Sequence, residues 1–246
     1  WRADAHSAAV QNEREAVMYA RAIIAKGDPA QVGELEAFVR DRVDPAVRAM
    51  AGNAGMSLFA NAATGEVIIA TAWVDEQSLT DSRIALTAMR DEGLALLRAT
   101  DARIETVEPV IMEQKAPDQV GYWTRSVESL TPLDTMLASE EVFIRDVLPQ
   151  ILRIDGVNTV SLLADRAAGK HILNVTYVSR AALEAASAQG QAIRDAFLAE
   201  GGRQLVSMME AEVRMVGMGP GPGPDVSGPD VPAQTGVTDR STTSTR

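Results

Sequence analysis

The apolar positions of this chain switch between the two-residue period of strands and the three-to-four-residue period of one-sided helices. The stretch AVMYARAII (16–24) alternates small and large side chains as a strand does, and Gly27-Asp28-Pro29 breaks it and opens a helix. From Val32 onward Leu35, Val39, Val43, Val47 and Met50 recur at helical spacing, which predicts a helix with one buried face. Pro45 falls inside that stripe and is expected to kink the helix, because it lacks an amide donor and collides with the preceding turn. After Gly52 two strands follow, joined at Asn61 to Gly65 by an Asx-to-Gly loop of hairpin type. Asp75 is placed to cap a second helix whose buried face carries Leu86, Met89, Leu94 and Leu97. ETVEPVIME (105–113) reads as the closing strand.

This order of strand, helix, strand, strand, helix, strand occurs twice. At a spacing of 104, residues 52–79 align with 156–183 with nine of 28 positions identical, so the second half repeats the first. Arg21 pairs with Arg125, Pro45 with Pro149, Arg90-Asp91 with Arg194-Asp195 and Glu108 with Glu212 at the same spacing. Phe38-Val39-Arg40-Asp41 and Phe143-Ile144-Arg145-Asp146 match at 105, which predicts one residue gained and then lost near the first helix. Ser179 repeats the cap of Asp75, Asp165 to Gly169 repeats the hairpin loop, and EAEVRMVGM (210–218) repeats the closing strand. The expected organisation is a polar lead-in (1–15), a first unit (16–113), a linker (114–119), a second unit (120–217) and a tail (218–246). That tail, rich in Gly, Pro, Ser and Thr, has no apolar set to bury and reads as disordered, with tethering of a partner as one role for it.

One βαββαβ unit makes an antiparallel sheet with helices on one face and leaves the other face bare. Two such sheets turned toward each other cover both bare faces, and fusion makes the pairing intramolecular. The predicted fold class is therefore α+β, with two ferredoxin-like units closing into a barrel. The order of elements, the Trp73-Val74-Asp75-Glu76-Gln77-Ser78-Leu79 exit from the third strand and the F-V-R-D-x-V-x-P helix resemble the dimeric α/β-barrel superfamily, within it the antibiotic-biosynthesis-monooxygenase-like domains. The resemblance covers both units. It implies oxidation of a small aromatic or polyketide-type compound without a cofactor, the substrate itself activating oxygen while the protein supplies desolvation, orientation and a cation for the developing oxyanion. Haem-degrading relatives of this fold carry a histidine ligand where this chain has Arg83 and Ser187, a departure that speaks against haem.

Composition narrows the choice. The net charge of −11 and the lack of a Lys/Arg run argue against nucleic acid as a partner. The longest apolar stretches, such as VIIATAWV (67–74), fall far short of the roughly 20 residues that span a bilayer. The absence of cysteine excludes thiolate catalysis and Cys-ligated metals and fits a cytoplasmic location. With only His6 and His171 as histidines and no HExxH-like spacing, no metal site is expected. The chain opens on Trp1 rather than methionine, so its start carries no information about a leader.

Strand parity assigns Tyr19, Arg21, Ser57 and Trp73, with their counterparts Trp123, Arg125, Ser161 and Tyr177, to the enclosed space between the sheets. His171 shares the parity of Tyr177 and has no duplicate, Val67 standing in its place. One reading makes Arg21, Arg125 and His171 catalytic and the aromatics and serines the walls of a site for a planar anion. In the other, Trp73 and Tyr177 are core, His171 is packed, and Arg21 and Arg125 are neutralised by Glu108 and Glu212 in a non-catalytic small-molecule-binding or stress-associated protein. Whether the chain is an enzyme stays open at this level.

Overall fold

The computed structural model describes residues 18–218; the lead-in expected over 1–15, His6 and the tail beyond Met218 lie outside the described residues. The first unit comprises β1 (Tyr19–Lys26), α1 (Val32–Phe38), a π-helical segment (Val39–Val43), α2 (Asp44–Arg48), β2 (Asn53–Asn61), β3 (Glu66–Trp73), α3 (Glu76–Ala85), α4 (Thr87–Leu96) and β4 (Asp101–Gln114). The second repeats it as β5 (Trp123–Leu130), α5 (Met136–Val142), a π-helical segment (Phe143–Val147), α6 (Leu148–Leu152), β6 (Val157–Asp165), β7 (Lys170–Tyr177), α7 (Arg180–Ala185), α8 (Ser187–Ala199) and β8 (Gln204–Met218).

Local chemistry explains the punctuation. Proline at 45 and at 149 offers no amide to the helix, and the turn before it widens: Asp44 donates back to the Val39 carbonyl and Leu148 to that of Phe143. The kink expected from Pro45 thus takes the form of a π turn. Both helical segments keep the spacing of 104, so the match at 105 reflects no inserted residue, and Phe38 and Phe143 sit one helical position apart. The second helix, read from sequence as continuous, is broken in both units, at Leu86 and at Ala186. The Asp75 carboxylate accepts from the Ser78 amide at 2.7 Å and the Ser179 hydroxyl from the Ala182 amide at 3.1 Å, as their cap positions predict. In the hairpins Gly65 and Gly169 adopt φ of 74° and 64°, and a Cβ at Gly65 would lie 2.1 Å from the Gly27 carbonyl oxygen.

The eight strands close into one antiparallel barrel in the order β1-β3-β2-β8-β5-β7-β6-β4. β4 and β8 make the closure. The first part of β4 pairs with β1, and its far end, Glu108 to Gln114, crosses to β6 of the second unit. β8 does the same, running from β5 to β2. Each unit therefore completes the other's sheet edge, which leaves no open strand edge among the described residues. This is the dimeric α/β-barrel fold held within a single chain.

Two apolar cores lie outside the barrel wall, one under each unit's helices. The first packs Val32, Leu35, Phe38, Val39 and Val47 against Met56, Leu58, Val67 and Trp73; the second packs Phe143, Leu148 and Ile151 against Val160, Leu162, Val175 and Tyr177. The inside of the barrel has a different character and carries paired charges. Among the described residues no helix is long and apolar enough to cross a membrane.

Candidate functional site

Directly opposed residues of antiparallel strands point to the same face, so the registers sort the candidate residues. Tyr19 and Arg21 lie opposite Trp73 and Thr71, and Trp123 and Arg125 opposite Tyr177 and Val175. All of these, with His171, face the helices rather than the barrel interior. Ser57 lies opposite Ala70 and Ser161 opposite Asn174, which places both serines on the other, inward face. The enclosed cavity expected between the sheets therefore does not gather these side chains. Parity counted along one strand does not carry across a hairpin, and it is the register that decides the face.

The first unit holds an apolar cleft between sheet and helices, lined by Ile23, Ile69, Phe38, Leu86, Met89 and Gly93, among others, with Arg21, Arg83 and Arg90 at its polar end. Arg21 is only 8% exposed. Its guanidinium donates to the Ser82 hydroxyl at 2.8 Å and to the Leu79 carbonyl, both neutral acceptors, and its Nε has no partner among the described residues. Among the described residues no carboxylate lies within ion-pair distance of it. Burial first, then the charges of Arg83 and Arg90, push its pKa below the ordinary arginine value. A buried cation without a counter-ion is expensive in isolation and becomes favourable when an anion arrives. Trp73 is fully buried and donates from its indole nitrogen to the Thr71 hydroxyl at 3.0 Å; it belongs to the core and fixes a cleft-lining neighbour.

The second unit has an equivalent cleft with altered chemistry, lined by Val127, Phe143, Leu173, Tyr177, Gly190 and Phe197, among others. Arg125 is equally buried, but Glu210 stands opposite it on β8 and accepts from its Nε at 2.9 Å and from a terminal nitrogen at 2.7 Å. Arg125 also donates to Ser187, the residue at the place of Arg83. The neutralising partners expected for the two arginines are not the ones found. Glu108 pairs with Arg166 and Glu212 with Arg214, because the registers set Thr106 opposite Arg21 and Glu210 opposite Arg125. Tyr177 is buried, which raises its phenol pKa, opposed by Arg125 and reinforced by Glu210. The Arg180 guanidinium covers the Trp123 ring at 4.9 Å.

His171 lines the second cleft and is 4% exposed, with both ring nitrogens occupied: Nδ1 lies 3.0 Å from the Thr131 hydroxyl and Nε2 3.1 Å from the Glu140 carboxylate. Glu140 is bound in turn by Arg166. Burial, the largest influence, lowers the histidine pKa against the pull of Glu140, so the ring is neutral near pH 7. In that state Nε2–H donates to Glu140 and Nδ1 accepts from Thr131.

Sequence reasoning missed the inward-facing charges. Lys170 on β7 reaches Glu105 at 2.9 Å and Glu128 at 3.0 Å; Arg103 pairs with both acids, and the Ser207 hydroxyl donates to Glu128 at 3.1 Å. Arg103 and Glu105 come from the first unit and the rest from the second, so the cluster ties the halves across the barrel. None of these positions carries a repeated charge, and the duplication therefore gave no signal for them. Among the described residues no group of three or more His, Asp or Glu side chains could hold a metal.

No family model matches the chain. Two uncharacterised proteins of Mycobacterium tuberculosis are similar to it along most of its length, one 29% identical over 199 residues (81% of this chain and 88% of that protein) and one 26% identical over 201 residues (81% and 85%). Among solved structures, an anthrone oxidase-like protein superposes with a TM-score of 0.59 at 15% identity, covering 82% of this chain and 93% of its own. A candidate monooxygenase of Lactobacillus acidophilus superposes with a TM-score of 0.58 at 10% identity, covering 82% and 96%. These likenesses concern the fold.

Proposed function

We propose that the first unit's cleft binds a small, planar, apolar anion, such as a phenolate or enolate of an aromatic or polyketide-type compound, with Arg21 as its charge partner, and that the protein oxidises it without a cofactor. The observation that carries this reading is Arg21 itself, a buried guanidinium at the end of an apolar cleft with neutral acceptors and, among the described residues, no acid. The names borne by two barrels of the same shape, anthrone oxidase-like and candidate monooxygenase, support the reaction type. In such a reaction a methylene beside the anionic ring loses both hydrogens and becomes a carbonyl. Dioxygen gives one atom to that carbon and leaves the other as water, all four electrons coming from the substrate. Arg21 holds the anion, the apolar walls strip it of water, and Trp73 keeps the Thr71 wall in place. Tyr19 supports that wall from its place opposite Trp73. Tyr177, Arg125 and His171 belong to the second cleft, Trp123 packs against the second unit's core, and Ser57 and Ser161 face the barrel interior.

Thermal stability of the protein against phenols, quinones, flavins and haem tests the reading. A ligand at a hundred times its dissociation constant stabilises by about 2.7 kcal/mol. The expected result is a shift with a phenolate, lost in Arg21→Ala, followed by oxygen consumption with that compound. Ligand-dependent stabilisation without oxygen uptake would leave a binding protein and refute the oxidation; no shift with any anion would refute the site.

A further inference from the structure

The two clefts descend from one repeated unit, and their differences point in one direction. Opposite the repeated arginine, the first unit has Thr106 and the second Glu210; beside it, the first has Arg83 and the second Ser187. The first difference sets an anion against the arginine of the second cleft, and the other removes a cation from beside it. Arg125 is thereby spent on Glu210 and Ser187, while Arg21 keeps its charge. Shape diverges as well. Gly93 opens the first cleft against Leu35 and Phe38, whereas Phe197 occupies the equivalent place in the second and meets Phe143 edge-on at 5.7 Å. Gly190, where the first unit has Leu86, leaves room beside the Tyr177 hydroxyl and the Arg125 guanidinium, each nearly 4 Å from the position of a Cβ there.

We infer that the clefts have diverged in charge selection, the first taking an anion and the second being a separate site for an uncharged apolar molecule with one hydrogen-bond acceptor. The phenol of Tyr177 is a donor lining this cleft, and the other lining cation, Arg194, is paired with Asp195. The Arg125–Glu210 pair adds no net charge, and its carboxylate repels an anion that could otherwise enter. Phe143, Val127, Leu173 and Phe197 supply the apolar contact. The first half of this inference rests on the proposed function of the first cleft; the second half stands on the second unit alone.

Calorimetric titration of the intact protein with 2-naphthoate and with its uncharged methyl ester reads both halves. The wild type is expected to bind one naphthoate and one ester at different sites. Gly190→Phe fills the second cleft and should lower ester affinity on the order of tenfold or more while naphthoate binding persists; Gly190→Leu, which installs the first unit's residue, is the milder variant if the phenylalanine impairs folding. Thr106→Glu should lower naphthoate affinity on the order of tenfold and spare the ester, and Glu210→Thr should create a second naphthoate site. Ester binding untouched by either Gly190 variant, or two naphthoate sites in the wild type, overturns the inference. Absence of naphthoate binding together with ester binding that responds to Gly190→Phe would remove the first-cleft reading and sustain the second site.

Discussion

Arg125 and Glu210 face one another across β5 and β8, joined by hydrogen bonds of 2.9 and 2.7 Å, whereas the equivalent Arg21 faces Thr106 across β1 and β4. One change at a repeated position decides which half keeps a free cation. In a homodimeric barrel both halves would have to carry the same residue there, but fusion into a single chain removes that symmetry and lets one cleft be neutralised without the other.

The two arginines therefore respond differently to removal. Arg21→Met takes away a buried charge without a counter-ion, and Ser82 still satisfies the Leu79 carbonyl at 2.7 Å. Chemical denaturation should find this variant as stable as the wild type or slightly more so. Arg125→Met breaks a pair whose acid is partly hydrated and should cost about 1–2 kcal/mol. Equal large losses in both variants would contradict the charge asymmetry.

Lys170 is central to the barrel interior. Replacing it with methionine leaves Glu105 and Glu128 buried close together with only Arg103 between them, and the loss should be about 3–5 kcal/mol. Burial disfavours its charge, yet the hydrogen bonds and charges of Glu105 and Glu128 prevail and raise its pKa. A raised pKa gives stability that is complete below the unfolded lysine value of about 10.4 and disappears as pH climbs through the folded value. Urea midpoints measured from pH 9 to 11.5 should fall over that window in the wild type and stay flatter in Lys170→Met.

His171 has the opposite sign. Its folded pKa lies below the ordinary value because it is buried, so the stability it confers is complete above about pH 6.5 and is lost as pH falls toward the folded value. Glu140, Arg166 and Arg203 are the charges that bear on the ring. His171→Val, which installs the first unit's residue, should flatten the melting temperature between pH 6.5 and 5. An unchanged slope would assign the acid sensitivity to carboxylates elsewhere.

Trp73 is completely buried and bonded to Thr71. As a core residue it should cost about 3–5 kcal/mol on replacement by alanine. A cleft-wall residue standing free in a cavity would lose much less, and guanidinium unfolding distinguishes the two.

The fold was legible because it is written twice: the spacing of 104, the Asp75 and Ser179 caps and the Gly65 and Gly169 hairpins each recur and each constrain the backbone locally. The closure of the barrel through the far ends of β4 and β8 was less visible, since Glu108 to Gln114 pairs with residues some fifty positions away. Arg21 and Arg125 stood out as candidates because they recur, but their face did not. That depended on whether Ser57 meets Ala70 or Ile69, a register the hydrophobic pattern does not fix when both faces of a strand are covered. The partners of the arginines followed the same rule: Glu108 and Glu212 are repeated and conspicuous, whereas Thr106 and Glu210, which do face them, differ between the halves.

The most direct test of the central claim is the side-chain Nε–H resonance of Arg21, followed by heteronuclear NMR during titration with 2-naphthoate and assigned through its loss in Arg21→Lys. This Nε is buried and has no hydrogen-bond partner among the described residues, so its resonance reports an anion that engages the guanidinium. A saturable shift of the Arg21 signal, with Arg125 unmoved, is the predicted result. A stationary Arg21 signal in a titration where naphthoate demonstrably binds would contradict the account.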